Sequence, residues 1–268
     1  MGYGQGVIEE QSESRGPSLE PMAMLSMEVG RVLMECGASA HIVDEYVCRT
    51  ARGLGADRVD LRIGYASMAI TVGVGKEGLT RMRKVGPLGV NQRLDRAVRQ
   101  LGARIERGEL GVVDGRAELD RLVRETPRHP GWFIDVAVGL ACASFARLLG
   151  GDWQGIGPVF VAAAAGQWFR RLLHRRQANV FIGSTLVAFL ASVISGFGAG
   201  LAGSAKVDTA MVAAVLLLVP GVPSLNAQND ILDGRPTLGS ARAVWVGIIL
   251  VFLTAGVWLG QIVVGVRW

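Results

Sequence analysis

Apolar residues keep two different rhythms along this chain of 268 residues. Up to residue 126 they recur singly among charged positions. From 131 onward they run in blocks almost empty of charge. Within 19–37, Met24, Met27, Leu33 and Met34 fall at helical spacing, with Ser18 and Glu20 near the start and Gly37 as a stop. A second helix is expected over 38–54, with Ile42, Val43, Tyr46, Val47 and Ala51 turned inward and Gly53 and Gly55 ending it. The stretches 59–64, 67–74 and 79–85 alternate apolar with polar residues and contain Val and Ile, the pattern of strands. VGKEG at 74–78 suits a hairpin connection, and 91–107 and 114–125 return to helical spacing. The order is ααβββαα.

The second half contains five segments apolar enough to cross a bilayer: 132–149, 154–169, 178–198, 209 to about 225, and 243–264. Spanning takes about 20 residues, with 17 a working minimum, so the first two are short and the last three comfortable. The expected fold is an α-helical membrane protein with five transmembrane helices behind a small N-terminal α+β cytoplasmic domain. Its parts are a disordered tail at 1–18, the α+β domain at 19–126, a linker at 127–130 and the transmembrane domain at 131–268. An odd number of spans is what one half of an inverted-repeat transporter would look like. A second half would have to come from another protein or a second copy. Gly196, Gly200 and Gly203 and the AAAAG run at 162–166 offer close helix packing, or are ordinary apolar filler.

Charge sets the expected orientation. The connection 170–177, RRLLHRRQ, carries four basic residues and the fourth connection carries Arg235 and Arg242, whereas 150–153 has none and 199–207 only Lys206. Basic connections stay inside, which places the N-terminal domain in the cytoplasm and Trp268 outside a cytoplasmic (inner) membrane crossed several times. The opening residues, MGYGQGVIEEQSESRGPSLEP, show neither an apolar core nor a cleavage pattern. Gly2 is a poor myristoylation match because residue 6 is Gly. The chain is 50% hydrophobic and 19% charged with net charge +5, an excess that basic loops of a membrane protein account for without a nucleic-acid partner. Three cysteines, Cys36, Cys48 and Cys142, read as packing residues, and Cys36 and Cys48 fit no zinc spacing. No metal or cofactor is expected.

Candidate chemistry concentrates in VPGVPSLNAQNDILDGRPTLGSARA, 219–243. Pro220 removes a backbone donor, and with Gly221 and Pro223 it should break or kink the helix and free carbonyls at 216–218. Asn226 and Asp230 are four apart and share a face if helix resumes; Asn229 and Asp233 lie beside them. Such groups at the bilayer edge face a substrate path or a partner helix. A cytoplasmic loop with helix caps reads the same residues otherwise. Asp208 opens the fourth span, as a helix-terminal charge or a pathway group. Asp135 lies near the inner end of the first span, snorkelling, paired with Arg128 or on a pathway. Catalysis is not expected. The three histidines are His41, His129 and His174, and no nucleophile elbow, P-loop, dinucleotide fingerprint or H-E-x-x-H is present. His41 with Asp44 and Glu45 reads as a solvated helix face, with acid–base chemistry as the alternative.

RVLMECGASAHIVDEYVCRTARGLGADRVDLRIG resembles the start of the cytoplasmic domain of the threonine/serine exporter family, FARLLGGDW the glycine pair after its first span, and the 219–243 stretch its best-marked segment. The resemblance covers about 22–264. By position, Pro220, Gly221, Asn226, Asp230, Gly234, Gly239 and Arg242 match the marked stretch, and Gly150 and Gly151 the glycine pair. The resemblance implies export of small metabolites driven by an ion gradient. Threonine and serine are the family's named substrates, and succinate and related dicarboxylates are associated with its two-chain branch. This chain resembles the larger subunit of that branch, so a second small membrane subunit or a homo-oligomer is the expected partner. The family's soluble domain has been thought hydrolase-like, yet no catalytic set is found here to carry over. The expected roles are Asp230 as proton-coupling or substrate-sensing carboxylate, Arg242 as its counter-charge or a contact for a substrate carboxylate, and Asn226 and Asn229 as substrate hydrogen-bonders. The alternatives are a membrane-anchored enzyme or a regulatory membrane scaffold.

Overall fold

The computed structural model describes residues 18–127 and 129–266. The tail expected at 1–18, Ser18 apart, lies outside the described residues, as do Arg128 and Trp268. The chain parts into two compact units between Glu125 and Thr126.

The first unit runs α1 (Leu19–Glu35), α2 (Ala40–Gly53), β1 (Arg58–Ile63), β2 (Ser67–Val74), β3 (Glu77–Lys84), α3 (Gln92–Glu106) and α4 (Val112–Glu125). The strands form an antiparallel meander in sequence order, pairing Ile63 with Met68, Ser67 with Lys84 and Val74 with Glu77. Alternation decides the buried face: Met68, Ile70 and Val72 of β2 are covered while Ser67 and Thr71 are exposed. Helix α1 packs on β2 and β3, and Arg83 of β3 reaches Glu28 of α1 at 2.6 Å. The core joins Met22 and Leu33 of α1 to Ile70 of β2 and Leu101 and Ile105 of α3. The strongly amphipathic sequence of α3 begins at Asn91, whose side chain accepts from the Leu94 N–H.

The second unit runs α5 (Gly131–Leu148), α6 (Trp153–Arg175), α7 (Val180–Leu201), α8 (Val207–Val215), a 3-10 turn (Leu216–Leu218), α9 (Gly221–Leu232) and α10 (Pro236–Val264). Among the described residues, α5, α7 and α10 are each long and apolar enough to cross a membrane. The stretch Val207–Leu218 and α9 form a pair bent by 63°, a fourth crossing if the two count as one. Helix α6 has 23 residues but carries Arg170, Arg171 and Arg175 in its last turns and falls outside that set. Helix α7 packs against α6, α8 and α10.

Two boundaries differ from the sequence expectation. The basic stretch expected as a connection at 170–177 is helical through Arg175. The fifth segment begins at Pro236 instead of 243, because Pro suits a first helical position and later residues of this turn pack on α9. Arg242 is therefore a helix residue and not a loop charge. Helix packing uses Ala162, Ala163 and Gly166 of the 162–166 run, all buried, and other small residues besides. Gly256 and Gly260 of α10 meet α7, and added Cβ atoms there would lie 2.5 Å from the Thr185 carbonyl oxygen and 2.7 Å from Ser192 Cβ. Of the glycines at 196, 200 and 203, Gly196 packs on Met211 and Val264, a Cβ on Gly200 would point into open space and Gly203 sits in the turn after α7.

Candidate functional site at a bent helix

Pro220 ends the apolar helix as its chemistry requires. At φ −76° and ψ 69° it centres a tight turn in which the Gly221 N–H donates to the Val219 carbonyl at 2.8 Å. The Pro220 carbonyl then starts α9, accepting from the Ser224 N–H at 3.0 Å and the Ser224 hydroxyl at 2.8 Å. Above the bend, the buried Cys142 thiol of α5 lies 3.9 Å from the Ala214 carbonyl oxygen, a partner for backbone near the break. Gly221 has no atom within 4 Å of where a Cβ would be.

The new helix axis lays α9 along the first turns of α10. Asn226, Ala227 and Asp230 are its buried residues. Asn229, about 100° around the helix from Asp230, is exposed and does not join them. Helix α9 closes at Gly234, φ 76°, where the Arg235 N–H donates to the Asp230 carbonyl at 2.8 Å. Chain reversal brings α10 back against α9 at close range. A Cβ on Gly239 would lie 2.8 Å from the Ala227 carbonyl oxygen and 2.5 Å from Ile231 Cγ1. That approach puts Arg242 beside Asp230, Nη1 to Oδ2 2.5 Å, with side-chain exposures of 6% and 0%. Moving two charges out of water is costly, and the contact between them offsets part of that cost. A proton on the carboxylate or an anion at the guanidinium would offset the cost of opening the pair.

The other sequence candidates lie elsewhere. Asp135, near the start of α5, pairs through both carboxylate oxygens with Arg171 of α6, Nε to Oδ1 3.0 Å. The pairing expected with Arg128 falls outside the described residues. Arg171 was missed, although the topology contains the signal: consecutive antiparallel helices place the beginning of one beside the end of the next. Asp208 is exposed in the first turn of α8, where its charge suits the helix start. Gly150, φ 84°, ends α5, and Gly151 donates its N–H to the Ala146 carbonyl at 2.8 Å. The sequence reading also passed over Asp152, which caps α6 through the Gly155 N–H at 3.0 Å and accepts from the Ser204 hydroxyl at 2.8 Å and the Ala205 N–H at 2.7 Å. The Ser204 hydroxyl holds the Asp152 carboxyl below the usual carboxylate range, outweighing desolvation, and neighbouring backbone N–H groups add to it. An Asp one residue before a helix was the available signal. Among the described residues, no group of three His, Cys, Asp or Glu side chains is placed to hold a metal ion.

The family model described as "Putative threonine/serine exporter" (ThrE) matches residues 24–264. The "Probable succinate transporter subunit YjjP" of Escherichia coli (strain K12) is 32% identical over 245 residues, 91% of this chain and 94% of that protein. Its namesake in Klebsiella aerogenes is 30% identical over 259 residues, 96% of this chain and 98% of that protein. No solved structure matches.

Proposed function

This chain belongs to the threonine/serine exporter family, and from that premise we propose that it is a membrane exporter subunit moving small carboxylate solutes, C4 dicarboxylates such as succinate or amino acids such as serine and threonine, out of the cell. The observation that carries the mechanism is the buried Asp230–Arg242 pair at the bent helix. A solute carboxylate approaching Arg242 competes with Asp230 for the guanidinium, and a proton on Asp230 removes that competitor. Proton and solute binding are thereby linked, and linkage between two ligands is what a gradient-driven carrier needs. Buried Asn226, one turn from Asp230, offers a second polar contact, and the break at Pro220 lets α9 move relative to α8. Asn229 faces away from the pair, so its part is at the entrance.

In this reading α5, α6, α7, the bent pair and α10 all cross, five passes in all. Helix α6 qualifies because it packs between α5 and α7 and because Asp135 neutralises Arg171 near its end. Arg170, Arg171, Arg175 and Arg176, with Arg235 in the α9–α10 turn, put those ends and the first unit in the cytoplasm. Trp268 is then outside. The first unit has a regulatory or solute-presenting part, and a second membrane module, another subunit or a second copy, completes the carrier.

The test is efflux of radiolabelled succinate, serine and threonine from proteoliposomes loaded at different pH gradients. Flux of at least one solute should respond to the gradient. Asp230→Asn should insert normally and lose that response, and an Asp230→Asn protein that exports with its gradient dependence intact would remove Asp230 from the coupling.

A further inference from the structure

A groove of about 390 Å³ runs between α8 and α10, walled by Val212, Val215 and Val219 on one side and Val257, Trp258 and Gln261 on the other. Its walls are apolar save for Thr254, whose hydroxyl donates to the Leu250 carbonyl at 2.9 Å, and Gln261. Gln261 lines the groove at 3% exposure, and its carboxamide has no hydrogen-bond partner among the described residues. A carboxamide carries two donors and an acceptor, and leaving them unmatched inside a membrane unit is costly. One turn earlier Trp258 stands on the rim, 54% exposed, its indole N–H likewise without a partner among the described residues. Within one chain the two are not hydrogen-bonded to each other.

We propose that this face is self-complementary and that its occupant is a second copy of the chain. Each copy inserts Trp258 into the other's groove and donates its indole N–H to the Gln261 carbonyl there, twice, about a two-fold axis along the membrane normal. Such an axis keeps both copies in the same orientation and at the same depth. Residues 258 and 261 differ by roughly 4.5 Å in height along the helix, which a modest helix tilt absorbs. A knob beside its own hole is the arrangement an isologous interface requires. The inference rests on α10 being a membrane span, and adds which surface the assembly uses.

The experiment counts copies of the full-length chain per particle in lipid bilayers over a range of protein density, with carbonate extraction and solute flux measured on the same preparations. Wild type should be dimeric. Gln261→Leu and Trp258→Phe should each weaken the dimer by on the order of tenfold, the loss of two reciprocal membrane hydrogen bonds. The double variant should be no weaker than either alone. Val215→Trp, which fills the groove, should give single copies, and Val251→Trp, on an exposed face of α10 (68% exposed), should leave the dimer unchanged. Single copies of wild type at every density, a dimer indifferent to the groove variants, a lipid retained in the groove of a single copy, or one copy paired with a different protein would each overturn the proposal. Monomers that resist carbonate and still move solute would overturn the dimer alone. Carbonate release of the chain would instead overturn the membrane reading beneath it.

Discussion

Removing one member of the Asp230–Arg242 pair should cost far more than removing both. The two side chains are 0% and 6% exposed, so water reaches neither charge. Breaking a buried pair from one side costs about 3–5 kcal/mol, because an uncompensated charge remains; replacing both partners by apolar residues of similar size is neutral or stabilising by about 1–4 kcal/mol. Asp230→Leu should therefore lower the melting temperature by roughly 6–20 °C, taking about 2–4 °C per kcal/mol for a unit of this size. Arg242→Met should lower it too, whereas the double variant Asp230→Leu with Arg242→Met should melt near or above wild type. All three should fail to export. Thermal unfolding of the full chain in detergent, read in a double-mutant cycle beside proteoliposome flux, separates the two roles. Single variants that each shift the melting temperature by less than about 2 °C would refute the reasoning, since they would mean the pair is solvated and exchangeable. A double variant that exports normally would leave the pair structural only.

Gly239→Ala should push α10 from α9, because the new Cβ meets the Ala227 carbonyl oxygen at 2.8 Å; a loss of about 1–3 kcal/mol and of most flux, seen by melting and efflux, is expected. Gly256→Val should separate α7 from α10 at Thr185, whose carbonyl oxygen is 2.5 Å from the Cβ position, and a pair of cysteines placed across that seam should then cross-link less readily. At the α5–α6 connection, Asp152 titrates lower folded than unfolded, so its contribution is present above its usual value of 3.8 and is lost as pH falls through its lower folded value. Asp152→Asn should consequently melt below wild type at pH 7, and the gap should close as pH falls below 3.8.

Much of this was legible along the chain because its cause is local. The alternation in β2, the apolar blocks and the ααβββαα order need only side-chain periodicity. The break at Pro220 needs only a missing N–H and a ring, and Asn226 with Asp230 on one face needs only helical pitch. Arg242 was different. By charge pattern it belonged to a basic loop, and the resemblance alone made it a counter-charge for Asp230; in the fold it is buried on Asp230, twelve positions away, because Gly234 reverses the chain and Gly239 has no side chain to hold α10 off α9. Arg171 on Asp135, Ser204 on Asp152, and Gly256 and Gly260 on α7 were hidden for the same reason. Sequence fixes which face of an element is apolar or polar, since that depends on neighbours three or four residues off. What the opposite face supplies depends on residues brought near by the reversal of the chain, and there a charge, a hydroxyl or a bare backbone reads alike until two elements meet.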